Sequence, residues 1–240
     1  MGSLIYDEYL KAFKCALNGQ KYKRAYKSLR DYQKMSDDTL EIVIKFYEQA
    51  KRGISKQVFK SLKDDEYYIH GPVGTGLELN RNTSEGINLI FAAGTGILPF
   101  MDLLAYIGRS LLKRNNPDYA IFPDERFKDL HANARFEIYC YFTSEKASIC
   151  LEFITLLEDL HDKYGVGHLF KLHLIFTREG GKKFDDDEIV TLLEGYKTDF
   201  AKINKVYVCG PPPMCIQFQR LKEKFEGESI GLNGADLDIL

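Results

Sequence analysis

Two short segments rich in glycine and proline stand where the sequence predicts that a strand gives way to a helix. GTGILP at 94–99 follows the apolar run INLIFAA, and CGPPPM at 209–214 follows the run KVYV. Glycine lets a backbone approach a phosphate closely, and a helix N-terminus offers free N–H groups and a positive dipole end. Each segment alone is also compatible with a plain strand-to-helix turn. Together they predict a site for an anion at the ends of two strands.

Cysteine and histidine spacing indicates no metal site. The five cysteines include no CxxC pair, and the five histidines show no HExxH pattern. We therefore expect neither structural zinc nor a disulfide framework. Cysteines without disulfide pairing favour an intracellular, reducing compartment.

The composition excludes several classes of protein. The 240 residues carry 33 Lys and Arg against 35 Asp and Glu, a net charge of −2, which gives no electrostatic signal for nucleic acid. A hydrophobic fraction of 45% supports a globular core. No apolar run reaches the roughly 20 residues of a membrane helix, so we expect no transmembrane segment.

Strand and helix patterns alternate in the second part of the chain, 81–240. We predict strands at 87–93, 136–142, 169–176 and 203–209 and helices at 99–112, 147–164, 186–193 and 212–225. Repeated βα units predict a parallel sheet, whose strand ends share one edge. Both glycine segments should therefore face one crevice.

The first part, 1–80, has a different pattern. Helical spacing at 7–17 precedes two β-rich runs, TLEIVIKFY at 39–47 and EYYIH at 66–70. We interpret this part as a small antiparallel β domain with an N-terminal helix. The fold class is then α/β, with a second, shortened β domain in front.

GTGILP followed by CGPPPM resembles the nicotinamide-binding half of the ferredoxin–NADP reductase superfamily, and most of all its cytochrome b5 reductase type. The likeness covers 85–240. It implies that the dinucleotide phosphates are bound by Gly94, Thr95, Gly96 and Pro99. It also implies that Cys209 and Gly210, the candidate catalytic residues, flank the nicotinamide, in a loop completed by Pro211, Pro212 and Met214. A buried cysteine can equally be a small hydrophobe.

TSEK at 143–146 is similar to the adenosine-ribose region of the family. Glu145, beside Ser144, would accept hydrogen bonds from ribose hydroxyls and repel a 2′-phosphate, so we predict NADH in preference to NADPH. Lys146 and Arg178 oppose that preference. The plain alternative is that Ser144 caps a helix.

The first part resembles the flavin-binding domain of the same family. Arg30 and Tyr32 match its R-x-Y motif, which holds the flavin phosphate and covers the ring, with RAYK at 24–27 as a rival placement. Ser55 would bind the flavin phosphates, and Gly71 and Pro72 match the turn that closes the barrel. The alternative for Arg30 and Tyr32 is an exposed turn.

The resemblance implies an oxidoreductase that passes electrons from NAD(P)H through FAD to an acceptor such as a small haem protein. A family barrel has six strands, and the first part is short for it. A catalytically reduced relative, acting as an accessory subunit of a larger complex, is the alternative. We accordingly expect a partner chain or second copy on the N-terminal half, and weak or no flavin binding by the isolated chain.

Overall fold

The structure is a computed structural model. It describes residues 3–19, 57–58, 60, 77, 85–115, 133–164, 169–199, 202–227 and 237–240. The strands are β1 (Gly86–Ala93), β2 (Ala134–Phe142), β3 (Phe170–Phe176), β4 (Ile203–Cys209) and β5 (Leu237–Ile239). The helices are α1 (Ser3–Leu17), α2 (Met101–Asn115), α3 (Leu151–Tyr164), α4 (Asp186–Asp199) and α5 (Pro212–Gly227). Two 3₁₀ helices span Gly94–Phe100 and Glu145–Ala147.

Within these residues, the strands form one parallel sheet in the order β3-β2-β1-β4-β5. Ile90 of β1 aligns with Ile138 of β2 on one side and Tyr207 of β4 on the other. Chain order reverses between β1 and β4, because β2 and β3 lie on one side of β1 and β4 and β5 on the other. At such a switch point an open α/β sheet has its ligand crevice.

Two hydrophobic cores cover the two faces of the sheet. One joins the sheet to α1, α2 and α3, and the other joins it to α4 and α5. Strand β1 is buried along its length up to Ala93, which is half-buried. Burial on both faces explains why the strand reads as a continuous apolar run.

Helix α1 packs on α2 and α3, although the sequence boundary at residue 80 assigned it to the first domain. The ring of Phe13 is fully buried and stacks on Phe153 at 5.6 Å between centroids. A Cβ at Gly108 would overlap the Phe13 ring, so α2 meets α1 where it lacks a side chain. The Tyr164 hydroxyl donates to the carbonyl oxygen of Ala16 at 2.6 Å, satisfying a carbonyl at the end of α1.

The predicted alternation of strands and helices is confirmed in the described residues after 85, with helix and strand ends shifted by a few residues. Strand β5 was not predicted; its three residues, LDI, pair with β4 at the sheet edge. The β-rich runs at 39–47 and 66–70 lie outside the described residues. The shortened antiparallel domain therefore stays a prediction.

No helix in the described ranges is long and apolar enough to cross a membrane.

Candidate functional site

The two glycine segments meet at the carboxyl end of the sheet. The 3₁₀ helix Gly94–Phe100 follows β1, and residues 210–214 follow β4, the strand beside it. A Cβ on Gly96 would overlap the carbonyl oxygen of Cys209 and lie 3.0 Å from the backbone nitrogen of Gly210. Glycine at position 96 is thus required for close packing of the two loops against each other.

Gly94 is half-buried and has a left-handed conformation. Its φ is +56°, and a Cβ placed there would meet nothing within 4 Å. The 3₁₀ helix leaves its first backbone N–H groups without partners inside the helix. Thr95 and Pro99 are exposed beside them. The α-helix begins at Met101 rather than near Pro99, because 94–100 winds as a 3₁₀ helix first.

The loop after β4 is neutral and partly buried. Burial, with a smaller contribution from nearby Cys215, raises the pKa of the Cys209 thiol, so the thiol is protonated at neutral pH. A Cβ on Gly210 would lie 2.7 Å from the Met214 sulfur and 3.0 Å from the Ala93 Cβ. Gly210 is therefore enclosed, but less tightly than Gly96, because its nearest neighbour is the end of a flexible side chain.

Proline residues form the outer wall of this loop. Pro211 and Pro212 are exposed, and α5 begins at Pro212. The Met214 N–H donates to the Pro211 carbonyl at 2.9 Å, closing the first turn. Met214 itself turns inward and packs against the core beneath α4 and α5.

A cleft of about 310 Å³ opens beside these loops, toward α4 and α5. Its walls are mostly apolar and aromatic, formed by Ala93, Tyr141, Phe184, Ile189, Pro211, Pro213, Met214 and Phe218, with Lys183 and Gln217 as polar members. Gln217 donates to the Phe184 carbonyl at 3.1 Å and to Asp186 Oδ1 at 3.0 Å, which fixes one wall. Small-molecule sites have this character, apolar walls with a few oriented polar groups.

The segment after β2 carries exposed charge. Ser144 precedes the 3₁₀ helix Glu145–Ala147 and makes no side-chain capping hydrogen bond, so its capping alternative is not realised. Glu145 is exposed, and its N–H donates to the carboxylate of Glu179 at 3.3 Å. Arg178 N–H donates to the Thr143 carbonyl at 2.9 Å, tying this segment to the one after β3. Glu179 was not singled out from the sequence, since only its contact with Glu145 brings it here.

Sequence reasoning also missed a polar cluster beneath α4. Glu137 Oε2 lies 2.8 Å from His173 Nε2 and accepts a short hydrogen bond from Tyr196. Burial acts to raise the pKa of Glu137, but the hydrogen bonds from His173 and Tyr196 outweigh it and lower the pKa. The Tyr139 and Tyr196 hydroxyls are 2.5 Å apart, and burial raises the pKa of Tyr139 to about 12. These residues lie on three separate elements, so no local motif announces them.

The predicted flavin residues Arg30, Tyr32, Ser55, Gly71 and Pro72 lie outside the described residues. Among the described residues, no group of three or more His, Cys, Asp or Glu side chains is arranged to hold a metal ion.

A parallel sheet in this order, with two close-packed glycine loops at its reversal point, has the architecture of an α/β dinucleotide-binding domain. No protein-family model matches the chain. The chain is 25% identical over 212 residues to NADH-cytochrome b5 reductase 2 of Kluyveromyces lactis, spanning 85% of this chain and 62% of that protein.

The chain is also similar to solved structures. The CS-b5R domains of human Ncb5or match with a TM-score of 0.50 and 16% identity, over 82% of this chain and 47% of that one. A ferredoxin-NADP+ reductase from Plasmodium falciparum matches with a TM-score of 0.47 and 15% identity, over 82% of this chain and 69% of that one. The resemblance inferred from the two motifs is confirmed, and the chain spans less than two thirds of the curated relative.

Proposed function

We propose that this protein is an NAD(P)H-dependent flavoprotein reductase, which takes hydride from a nicotinamide dinucleotide and passes electrons through FAD to an acceptor protein. The observation that carries the proposal is the contact between the two glycine loops at the β1–β4 switch point. The likeness to a reductase over most of the chain supports it.

The dinucleotide would lie across the carboxyl edge of the sheet. The N–H groups at the start of the 3₁₀ helix, at Gly94, Thr95 and Gly96, would bind the pyrophosphate, since oriented N–H groups favour an anion. The nicotinamide would lie beside Cys209 and Gly210, where the enclosed backbone holds the loop in one position. When bound, the two cofactors supply hydride transfer and the change from two-electron to one-electron chemistry.

The role proposed for Cys209 is positional. Its protonated, half-buried thiol offers a small neutral surface and no nucleophile. It would fill space beside the nicotinamide ring and exclude water. The acceptor is proposed to be a small haem protein, as the name of the cytochrome b5 reductase relative suggests.

The sharpest test of the dinucleotide site is Gly94→Val. The sequence motif suggests Gly96 for this experiment, but a side chain at Gly96 would overlap the Cys209 backbone and disturb the fold. At Gly94 there is room for a side chain, which would cover the first N–H groups of the 3₁₀ helix. Losing one charge-assisted hydrogen bond should weaken NADH binding at least about tenfold, measured by calorimetric titration.

Gly19→Val is the matched control. Gly19 also has a left-handed φ, +67°, and open space around it, but it lies at the end of α1. The control should carry the same backbone strain and keep wild-type affinity for NADH. Wild-type affinity in Gly94→Val would refute the site.

We further propose a preference for NADH over NADPH, with Glu145 and Glu179 as a pair of carboxylates near the ribose. Wild-type protein should bind NADH more tightly. Glu145→Gln should bring the dissociation constants for NADH and NADPH closer together. Arg178→Gln should move them further apart, because the arginine is a positive charge that would attract the 2′-phosphate of NADPH. Tighter binding of NADPH by the wild type would contradict the preference.

One observation favours the accessory-subunit alternative. Helix α1, which the sequence interpretation placed in the flavin-type part, packs on the α/β unit instead. Turnover with added FAD distinguishes the two functions. A reductase should reduce ferricyanide with NADH when FAD is supplied, whereas an accessory subunit should stay inactive at every FAD concentration.

A further inference from the structure

A groove of about 710 Å³ runs along β3, at the edge of the sheet and away from the glycine loops. It lies between α3 and α4, and Leu172 and Leu192 contribute apolar side chains to it. Gly195 of α4 also lines it, and a Cβ there would meet nothing within 4 Å. The groove is therefore open next to a strand edge.

The hydrogen-bond register shows which backbone groups face this groove. Phe136 N–H donates to the Leu169 carbonyl, and Thr177 N–H donates to the Phe142 carbonyl. In a parallel ladder these two bonds fix the alternation, so 169, 171, 173, 175 and 177 bond to β2. The N–H and C=O groups of Phe170, Leu172 and Leu174 point the other way, where no strand of the described chain pairs with them.

The open stretch has a defined end. The Phe176 carbonyl already accepts hydrogen bonds from the N–H groups of Glu179 and Gly181, both at 2.9 Å. Three residues thus offer outward-facing backbone pairs, Phe170, Leu172 and Leu174. A strand of about five residues, some 17 Å long, would use all of them.

Acidic side chains border the groove on both sides. Glu158 and Asp162 come from α3 and Asp199 from α4. Lys171 and His161 also line the groove, and His161 Nδ1 lies 3.8 Å from Asp162 Oδ1. Burial raises the pKa of Glu158, and repulsion from Asp162 and Asp159 raises it further, which indicates negative potential there.

The fourth carboxylate of the groove, Glu137, is already balanced. It is paired with His173 at 2.8 Å. The acidic borders would repel the borders of a second copy docked edge to edge, since like charges would face each other. The charge is complementary to a cationic partner instead.

We propose that the open edge of β3 binds an extended, lysine- or arginine-bearing segment of a partner protein as an added strand. Backbone hydrogen bonds to Phe170, Leu172 and Leu174 would supply the pairing, and Glu158, Asp162 and Asp199 would select positive side chains. This surface is separate from the dinucleotide edge and extends beyond the proposed reductase activity.

The test uses full-length protein and a fluorescein-labelled seven-residue peptide of alternating Lys and Val, with fluorescence anisotropy as the readout. The Lys–Val peptide should bind, and a Glu–Val peptide should not. In two further peptides every second backbone amide is N-methylated, at odd positions in one peptide and at even positions in the other. An added strand donates hydrogen bonds to β3 from only one of these two sets of amides, so one methylated peptide should bind and the other should not.

Charge variants of the protein test the borders of the groove. Glu158→Gln combined with Asp199→Asn should weaken peptide binding about fivefold, as two exposed ion pairs suggest. Asp187→Asn, an exposed carboxylate of α4 that does not line the groove, is the matched control and should bind as wild type. NADH affinity should be the same in all three proteins.

Three results would overturn the proposal. They are equal effects of the two methylated peptides, spermine binding as tight as the peptide, and a protein dimer that the peptide dissociates to monomer. The first two would show an acidic surface without strand pairing. The third would identify a second copy of the chain as the occupant.

Discussion

Gly96 allows the loops after β1 and β4 to pack closely against each other. Its missing side chain lets the 3₁₀ helix after β1 touch the backbone of Cys209. Gly96→Ala should therefore destabilise the fold by about 1–3 kcal/mol, the usual cost of overpacking, measured by urea unfolding.

Gly195→Ala is the control for that measurement. Gly195 lies within α4 and has free space for a Cβ. Alanine in a helix interior is favoured over glycine, so the unfolding free energy of this variant should be about 0.5–1 kcal/mol higher than that of the wild type. Equal stability of the two variants would show that the loops do not need the contact.

Glu137 predicts a pH dependence of stability. Its pKa in the folded protein is below the ordinary value of 4.5, so the unfolded chain binds its proton more readily. The stabilisation is present above pH 4.5 and is lost as pH falls through the folded pKa. The melting temperature of wild type should fall more steeply between about pH 5 and about pH 3 than that of Glu137→Gln.

The comparison for Glu137 is Glu152→Gln, which removes an exposed carboxylate of α3 that pairs with Lys14 at 2.5 Å. This variant should keep most of the wild-type acid dependence, because an exposed pair contributes little. If the melting temperature of Glu137→Gln falls at acid pH as steeply as that of the wild type, the acid dependence does not come from Glu137.

At the scale of elements, α1 is an integral part of the α/β unit. Phe13 is fully buried between α2 and α3, and its ring stacks on Phe153. Phe13→Ala should cost about 3–5 kcal/mol of unfolding free energy. Lys14→Ala, which removes the surface ion pair between Lys14 of the same helix and Glu152 of α3, should lower the unfolding free energy by less than about 1 kcal/mol.

A small effect of Phe13→Ala would mean that α1 is loosely attached. Unfolding of the whole domain in one transition, followed by both tyrosine fluorescence and circular dichroism, would show that α1 and the sheet unfold together. Two separate transitions would contradict the integral role of α1.

At the scale of the molecule, the predicted flavin-type half leads to a prediction about assembly. A short antiparallel sheet is marginal in water by itself. We expect the isolated chain to retain flavin weakly, and to retain it better when a partner or second copy covers the N-terminal half. Mass and flavin absorbance measured together on a dilution series would test this. A monomer with stoichiometric flavin at low micromolar concentration would contradict it.

The sequence by itself determined the parallel α/β organisation and the sheet edge at which the two glycine loops meet. Both depend on local signals, because strands buried on two faces read as continuous apolar runs and glycine and proline mark the turns. The end of β4 at Cys209 and the start of α5 at Pro212 were predicted to the residue for this reason.

Only the tertiary structure decided which residues act on each other across the chain. The contact of Gly96 with Cys209, the docking of α1 by Phe13 and the Glu137–His173 pair each join residues that are far apart in sequence. Strand β5 is three residues long, too short for a periodic signal, and exists because β4 offers it an edge. Such contacts depend on how the elements pack, and periodicity along one segment carries no information about its distant neighbours.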